Sequence, residues 1–137
     1  MNTTPPANPT APVANRLTEL CNIGKHREAL VELYADNARH IEVMAMPGCP
    51  GGRITEGKAA LLAASDEMDR TTTVHGASCG KPLINGDQFV CQMSLDATNT
   101  AGPMAGQRMD MSETCLYTVK DGKISEAKFF YSLGDFA

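Results

Sequence analysis

The sequence predicts an α+β domain in which N-terminal helices collect against one face of a curled antiparallel sheet. Three observations predict it. Apolar residues recur at helical spacing in the first half of the chain, and two-residue alternation takes over after about residue 71. The alternating segments are joined by compact turns, Asn85-Gly86 and Lys120-Asp121-Gly122-Lys123. Helices come first and strands afterwards, the order that separates α+β from alternating α/β folds.

Each element has its own signal. Residues 1–12 are rich in proline and threonine, cannot build a core, and are expected to form a disordered tail; residues 13–137 form the single domain. Val13, Leu17, Leu20 and Cys21 recur on one helical face, and Gly24 stops that helix. A second helix runs from His26 to about Tyr34, with Ala29, Leu30, Leu33 and Tyr34 inward. Residues 38–46 read as a strand, and the Pro/Gly-rich residues 47–52 as loop. Thr55 caps a third helix to about Met68. Residues 71–83 follow as a strand in which Gly76 and Gly80 mark bulges or bends. After the Asn85-Gly86 turn, Phe89, Cys91, Met93, Leu95 and Ala97 alternate with polar residues. Residues 98–106 connect to a strand over 107–119, and residues 124–133 form the last strand.

Composition excludes several classes. Among the 137 residues, 42% are hydrophobic and 20% charged, ordinary for a soluble globular protein. A net charge of −4 and a pI near 5.3 argue against a nucleic-acid or anionic-membrane surface. No apolar run approaches the roughly 20 residues of a membrane span, and the start lacks the basic and apolar regions of a signal peptide. Cysteines 21, 49, 79, 91 and 115 are scattered without a CxxC, which points to reduced thiols in a cytoplasmic protein. Histidines 26, 40 and 75 show no HxH, HxxxH or HExxH spacing, so no metal is expected. No P-loop, GxSxG elbow or dinucleotide fingerprint calls for a cofactor.

One residue interrupts the pattern. Along 107–119, Met109, Met111, Cys115, Tyr117 and Val119 share the inward phase, and Glu113 shares it with them. A buried carboxylate is costly unless it is paired, protonated or used. Arg108, Lys128 and Tyr131 are the structural partners that would neutralise it.

The run from Leu30 to Glu42 (LVELYADNARHIE), the helix after Thr55-Glu56-Gly57-Lys58, and the hairpin from Leu116 to Ile124 leading into Phe129-Phe130-Tyr131 resemble the nuclear transport factor 2-like superfamily. Within it the chain is most similar to SnoaL-like proteins, the branch with polyketide cyclases and ketosteroid isomerases, over about residues 13–133. The resemblance implies a cone-shaped, cystatin-like fold of three helices and curled sheet enclosing an apolar pocket, and a homodimer through the outer sheet face. In ketosteroid isomerases an acidic base ends the first strand after a motif matched by Tyr34-Ala35-Asp36-Asn37-Ala38, which places Glu42 there. The tyrosine donor of their first helix falls at Leu17, so that donor is missing. Their protonated aspartate falls at Cys115, with Glu113 one pleat away. Phe129 stands where the epoxide-hydrolase branch would carry an aspartate, which disfavours that chemistry.

Glu42 and Glu113 are therefore the candidate catalytic pair, base and acid respectively, because two carboxylates in one apolar pocket push their pKa values apart. His75, Tyr131, Cys115, Met44, Met111 and Phe129 are the candidate substrate-binding residues, with a small apolar molecule as ligand. The sequence leaves open whether Glu42 or the phase of Ile41 and Val43 points inward. It assigns His40 to the surface. Two functions fit: a cofactor-independent acid–base isomerase, cyclase or hydratase acting on a small apolar carbonyl compound, or a non-catalytic module that binds a small ligand or a partner protein.

Overall fold

The computed structural model describes residues 9–45 and 52–132. The elements run α1 (Thr10–Asn22), α2 (His26–Leu33), β1 (Tyr34–Ile41), β2 (Ile54–Glu56), α3 (Lys58–Thr71), β3 (Thr72–Cys79), β4 (Leu83–Asn85), β5 (Gln88–Asn99), β6 (Arg108–Lys120) and β7 (Lys123–Phe130). The strands form one sheet in the order β2-β1-β7-β6-β5-β3, with β4 also paired to β5. The sheet curls without closing, and α1, α2 and α3 pack on its inner face.

The expected α+β class holds, with one correction to the sheet. It is mixed rather than antiparallel, because β1 runs parallel to β7: Tyr34 lies beside Ile124 and His40 beside Ala127. All other pairings are antiparallel.

Local chemistry explains the boundaries. Helix α1 buries Val13, Ala14, Leu17 and Leu20, then ends as Gly24 turns to φ +77°. There Gly24 N–H donates to Cys21 O and Lys25 N–H to Leu20 O, which satisfies two orphan carbonyls. The helix begins at Thr10, preceded by Pro9 at its N-cap, so its first three residues fall inside the stretch expected as tail; residues 1–8 lie outside the described residues. Pro12 fits because the first turn needs no N–H partner there. Helix α2 passes straight into β1, so the strand begins at Tyr34 rather than residue 38, and its expected end at Met46 lies outside the described residues. Thr55 does not cap α3. It sits in β2 opposite His40, and Gly57, at φ +94°, precedes the helix instead.

The β-half follows its turn signals. Gly76 falls where the β3–β5 register shifts, an observed bulge. Asn85 pairs with Gln88 around Gly86, and Lys120 pairs with Lys123 around Asp121 and Gly122. Both of the latter have positive φ, 53° and 76°, as the tightest hairpin turn requires.

The core joins the two layers. Phe89 and Tyr117 stack with centroids 4.7 Å apart, both almost fully enclosed, among Leu17, Leu20, Leu61 and Ile124. Ion pairs between helices, Arg16–Glu32 and Arg27–Asp66, lie at the exposed surface and contribute little. A stronger tie joins α1 to β3. The Asn22 side chain donates from Nδ2 to Cys79 O (2.9 Å), and its Oδ1 accepts from Cys79 N–H (2.8 Å).

Replacing Asn22 with Ala leaves both Cys79 backbone groups without this partner. The expected loss is about 1–2 kcal/mol of unfolding free energy, measured by urea denaturation. Asn22→Asp, which keeps one of the two bonds, should fall between.

Candidate active site

The ladders bring distant residues onto one row. Even-numbered residues of β1 face inward from Ala38 onward: Ala38 is fully buried, His40 contacts core aromatics, and Glu42 follows in the same phase. The alternative phase of Ile41 and Val43 is thereby set aside. Glu42 N–H donates to Arg53 O (2.8 Å), which fixes the strand end. On β6, Glu113 faces Met93 across β5. Thr114 pairs with Phe130 on β7, so Tyr131, one step further, lies next to Glu113. Tyr131 reaches the other way and donates from its hydroxyl to Glu42 Oε2 at 3.0 Å.

Glu42, Tyr131 and Glu113 thus occupy one corner of the inner face. The partners that would have neutralised Glu113 are engaged elsewhere. Arg108 makes a two-pronged bond with Asp96 (2.8 and 2.7 Å), Lys128 lies over the Phe130 ring at 5.6 Å, and Tyr131 bonds to Glu42.

Environment separates the two carboxyls. Burial raises Glu42, and the Tyr131 hydroxyl opposes that shift by stabilising its carboxylate. Glu113 is pushed up to about 7, first by burial and then by the charge of Glu42, while the Cys115 thiol pulls it back. Glu113 therefore keeps its proton to about pH 7, beside a Glu42 whose carboxylate the Tyr131 hydroxyl stabilises against burial. Tyr131 is held well above its ordinary range by burial and by the charge of Glu42, so it remains a donor.

A layer of aromatic and sulfur groups lies beneath this row. His40 Nε2 is 3.0 Å from the Tyr34 hydroxyl, and its ring meets Tyr34 and Phe129 edge-on at 5.4 and 4.9 Å. Burial lowers His40 to about 4, so the ring is neutral. The surface position expected for His40 is incorrect: its inward phase places it against Phe129. Phe129 and Cys115 belong to this floor. Cys115 is 0% exposed, so it cannot touch a ligand as expected for a binding residue.

His75 is also corrected. Its Nε2 bonds Thr98 Oγ1 at 2.7 Å, and Thr98 is out of phase with the buried Phe89, Cys91 and Ala97. The bulge at Gly76 leaves His75 exposed on the outer face, near the Asp96–Arg108 pair. Met111 stays inward, opposite Leu95 and half-buried. Met44, also half-buried, follows β1 beyond Glu42.

Two residues of the site were not singled out from sequence. Met93 belongs to a legible alternation, but only the β5–β6 register sets it against Glu113. Arg53 leaves no local signal, and reaches Glu42 through the pairing of β1 with β2. A cavity of about 240 Å³ opens beside Glu42, between Val43, Arg53, Lys128 and Phe129. A larger one, about 590 Å³, lies on the outer face among Arg39, Glu56, Thr118 and Lys120, away from both candidate carboxylates. Neither has Glu113 in its lining. Among the described residues no cluster of His, Cys, Asp and Glu is arranged to hold a metal, and no helix is long and apolar enough to cross a membrane.

The raised Glu113 has a signed consequence. Its folded pKa near 7 exceeds the ordinary 4.5, so the protonated carboxyl favours the fold and that advantage disappears as pH rises from about 4.5 through 7. Unfolding free energy should decline across that window, by an amount on the order of 1–3 kcal/mol. In Glu113→Gln the decline should flatten; an unchanged pH–stability curve would contradict the burial.

The chain resembles known proteins over most of its length. The family model of the SnoaL-like domain matches residues 9–131. A candidate SnoaL-like polyketide cyclase from Mesorhizobium loti is 37% identical, with a TM-score of 0.79 over 88% of this chain and 97% of that one. A candidate polyketide cyclase from Pseudomonas putida is 19% identical, with a TM-score of 0.69 over 95% of this chain and 96% of that one. A protein of ketosteroid isomerase-like fold from Catenulispora acidiphila, crystallised with trimethylamine, is 16% identical, with a TM-score of 0.68 over 92% and 89%. The last two likenesses are of fold alone. No curated relative matches the chain.

Proposed function

Because the chain belongs to the SnoaL-like family, within the nuclear transport factor 2-like superfamily, we propose that it is a cofactor-independent isomerase, cyclase or hydratase. Its substrate is a small apolar carbonyl compound, bound on the inner face. The observation that supports this reading is the unequal pair: Glu42 stabilised as a carboxylate by Tyr131, and Glu113 retaining its proton to about pH 7.

In this reading Glu42 takes a proton from the carbon beside the carbonyl. Electron density moves to the carbonyl oxygen, and Glu113 stabilises it by a hydrogen bond or by transferring its proton. Return of the proton to a different carbon gives an isomer; attack by the enol carbon on a second carbonyl gives a ring. Tyr131 keeps Glu42 oriented and charged. Met111, Met93 and Met44 supply an adaptable apolar lining. A second copy of the chain is proposed to cover the outer sheet face, where Gln92 and Gln88 already bond to Thr114 and Thr118.

The 240 Å³ cavity touches Glu42 but not Glu113, and this favours a second reading as a non-catalytic binder of small ligands.

The two readings separate in deuterium oxide. An enzyme should exchange the α-hydrogens of apolar ketones, followed by NMR. Glu42→Gln should lower that rate by about 10²–10⁴-fold, and Tyr131→Phe by less. The rate should fall as pH rises through about 7, where Glu113 loses its proton. Absence of exchange across a panel of cyclic and aromatic ketones, with ligand-induced thermal stabilisation retained, would leave the binder.

A further inference from the structure

The acid–base scheme does not use the inward pair formed by the Tyr34 hydroxyl and the His40 ring. These residues are six apart on β1, a span of about 20 Å in a regular strand. Yet their ring centroids are 5.4 Å apart, and His40 Nε2 is 3.0 Å from the Tyr34 hydroxyl. The irregularity of β1 brings them together. From Tyr34 to Arg39 the chain advances five residues while β7 beside it advances two, from Ile124 to Glu126. The surplus residues shorten the path of β1 along the sheet, and His40 closes on Tyr34 with Phe129 edge-on at 4.9 Å.

The two rings are unequally placed. Tyr34 is 4% exposed, and among the described residues its hydroxyl has no hydrogen-bond partner but His40. Burial keeps the phenol protonated, and a buried O–H that donates to nothing costs the desolvation of the donor. The hydroxyl therefore donates to Nε2, which must present its lone pair. Burial also lowers His40 to about 4, so the neutral ring has one proton to place. With Nε2 accepting, that proton sits on Nδ1. Nδ1 itself has no partner among the described residues. Ser65 Oγ is the one buried side-chain nitrogen or oxygen left unpaired among them, so Nδ1 is not sealed and is open to an incoming group. His40 shares the strand face of Glu42, two residues on, and its ring lies against Phe129, which lines the cavity beside Glu42.

We propose that His40 is a ligand-binding residue: Tyr34 fixes its ring as the Nδ1–H tautomer, and Nδ1–H donates to an oxygen of a small apolar ligand on the inner face. This rests on the reading of that face as the site of a carbonyl compound and deepens it. In that scheme Glu113 is the donor for charge developing on the carbonyl oxygen. A neutral imidazole adds a second donor without the positive charge that would hold Glu42 and Glu113 ionised.

The first test reads the tautomer, by long-range ¹H–¹⁵N correlation NMR of the whole chain labelled in its histidine rings, with His40→Gln identifying the resonances. Wild-type His40 should show a protonated Nδ1 and an unprotonated Nε2; a protonated Nε2 would overturn the proposal. Tyr34→Phe should return the ring toward the Nε2–H form that free imidazole side chains prefer. The second test compares binding of acetophenone and of ethylbenzene, similar in shape but without the oxygen, by ligand-observed NMR. His40→Phe keeps an aromatic ring and removes the donor. It should weaken acetophenone about three- to tenfold and leave ethylbenzene unchanged. Equal weakening of both would mean a packing role and overturn the proposal, as would a wild type that binds neither. If His40→Phe does not fold, Tyr34→Phe stands in, since an Nε2–H ring meets the ketone with a lone pair. If neither folds, wild-type Nδ1 should itself shift on adding acetophenone and not on adding ethylbenzene; equal responses would overturn the proposal. An Nδ1–H ring and selective ketone binding in a protein that exchanges no α-hydrogens would retain the donor and retire the acid–base reading. Exchange with an Nε2–H ring would retire the donor alone.

Discussion

The parallel pairing of β1 with β7 is the constraint on which the site depends. It joins the first strand to the last, and it is the step that turns a meander into a curled sheet with an inside. Tyr34 beside Ile124 and His40 beside Ala127 set the offset. Continued upward, that offset carries Glu42 to the level where Tyr131 leaves β7 and meets Glu113 on β6. Helix α2 feeds β1 without an intervening turn, so the burial of Ala29, Leu30 and Leu33 also fixes where the strand starts. Contacts between chain ends close a long loop, which makes this pairing entropically demanding and a candidate for late formation during folding.

Charge is distributed in two regimes. On the surface, Arg16, Arg27, Arg39 and Arg108 each have a carboxylate partner in solvent, where such pairs contribute little. On the inner face Glu42 meets a tyrosine hydroxyl and Glu113 meets the charge of Glu42 instead of a cation, and desolvation raises both. Partners that donate hydrogen bonds without neutralising the charge leave the proton free to redistribute between the two carboxyls. A lysine in place of Tyr131 would hold both groups ionised and remove that freedom.

Much of this architecture was legible in the sequence because it depends on local signals. The two-residue alternation of β6, the glycine that ends α1, the bulge at Gly76 and the Asp121-Gly122 turn each depend on a few adjacent residues. Glu113 was visible for the same reason, as a carboxylate within an apolar phase. The phase of β1 was not. Its register shifts between Tyr34 and Arg39, and its neighbours are β7 and β2, which local pattern does not specify. His75 went astray because the bulge beside it exchanges faces, and Cys115 because alternation gives direction but not depth. His40 joins the aromatic floor only after β1 lies against β7, a nonlocal fact.

The link between Asn22 and Cys79 has a consequence at the margin of the sheet. Strand β3 is an edge, and an unpaired edge offers backbone donors and acceptors to any extended segment that arrives. At its last residue both groups already face a side-chain amide, which has the shape and polarity of one peptide unit of a further strand. Helix α1 in effect lends the sheet a single rung from outside. An incoming chain would have to displace that rung before extending the ladder there, so growth of the sheet beyond β3 is obstructed by the molecule's own helix.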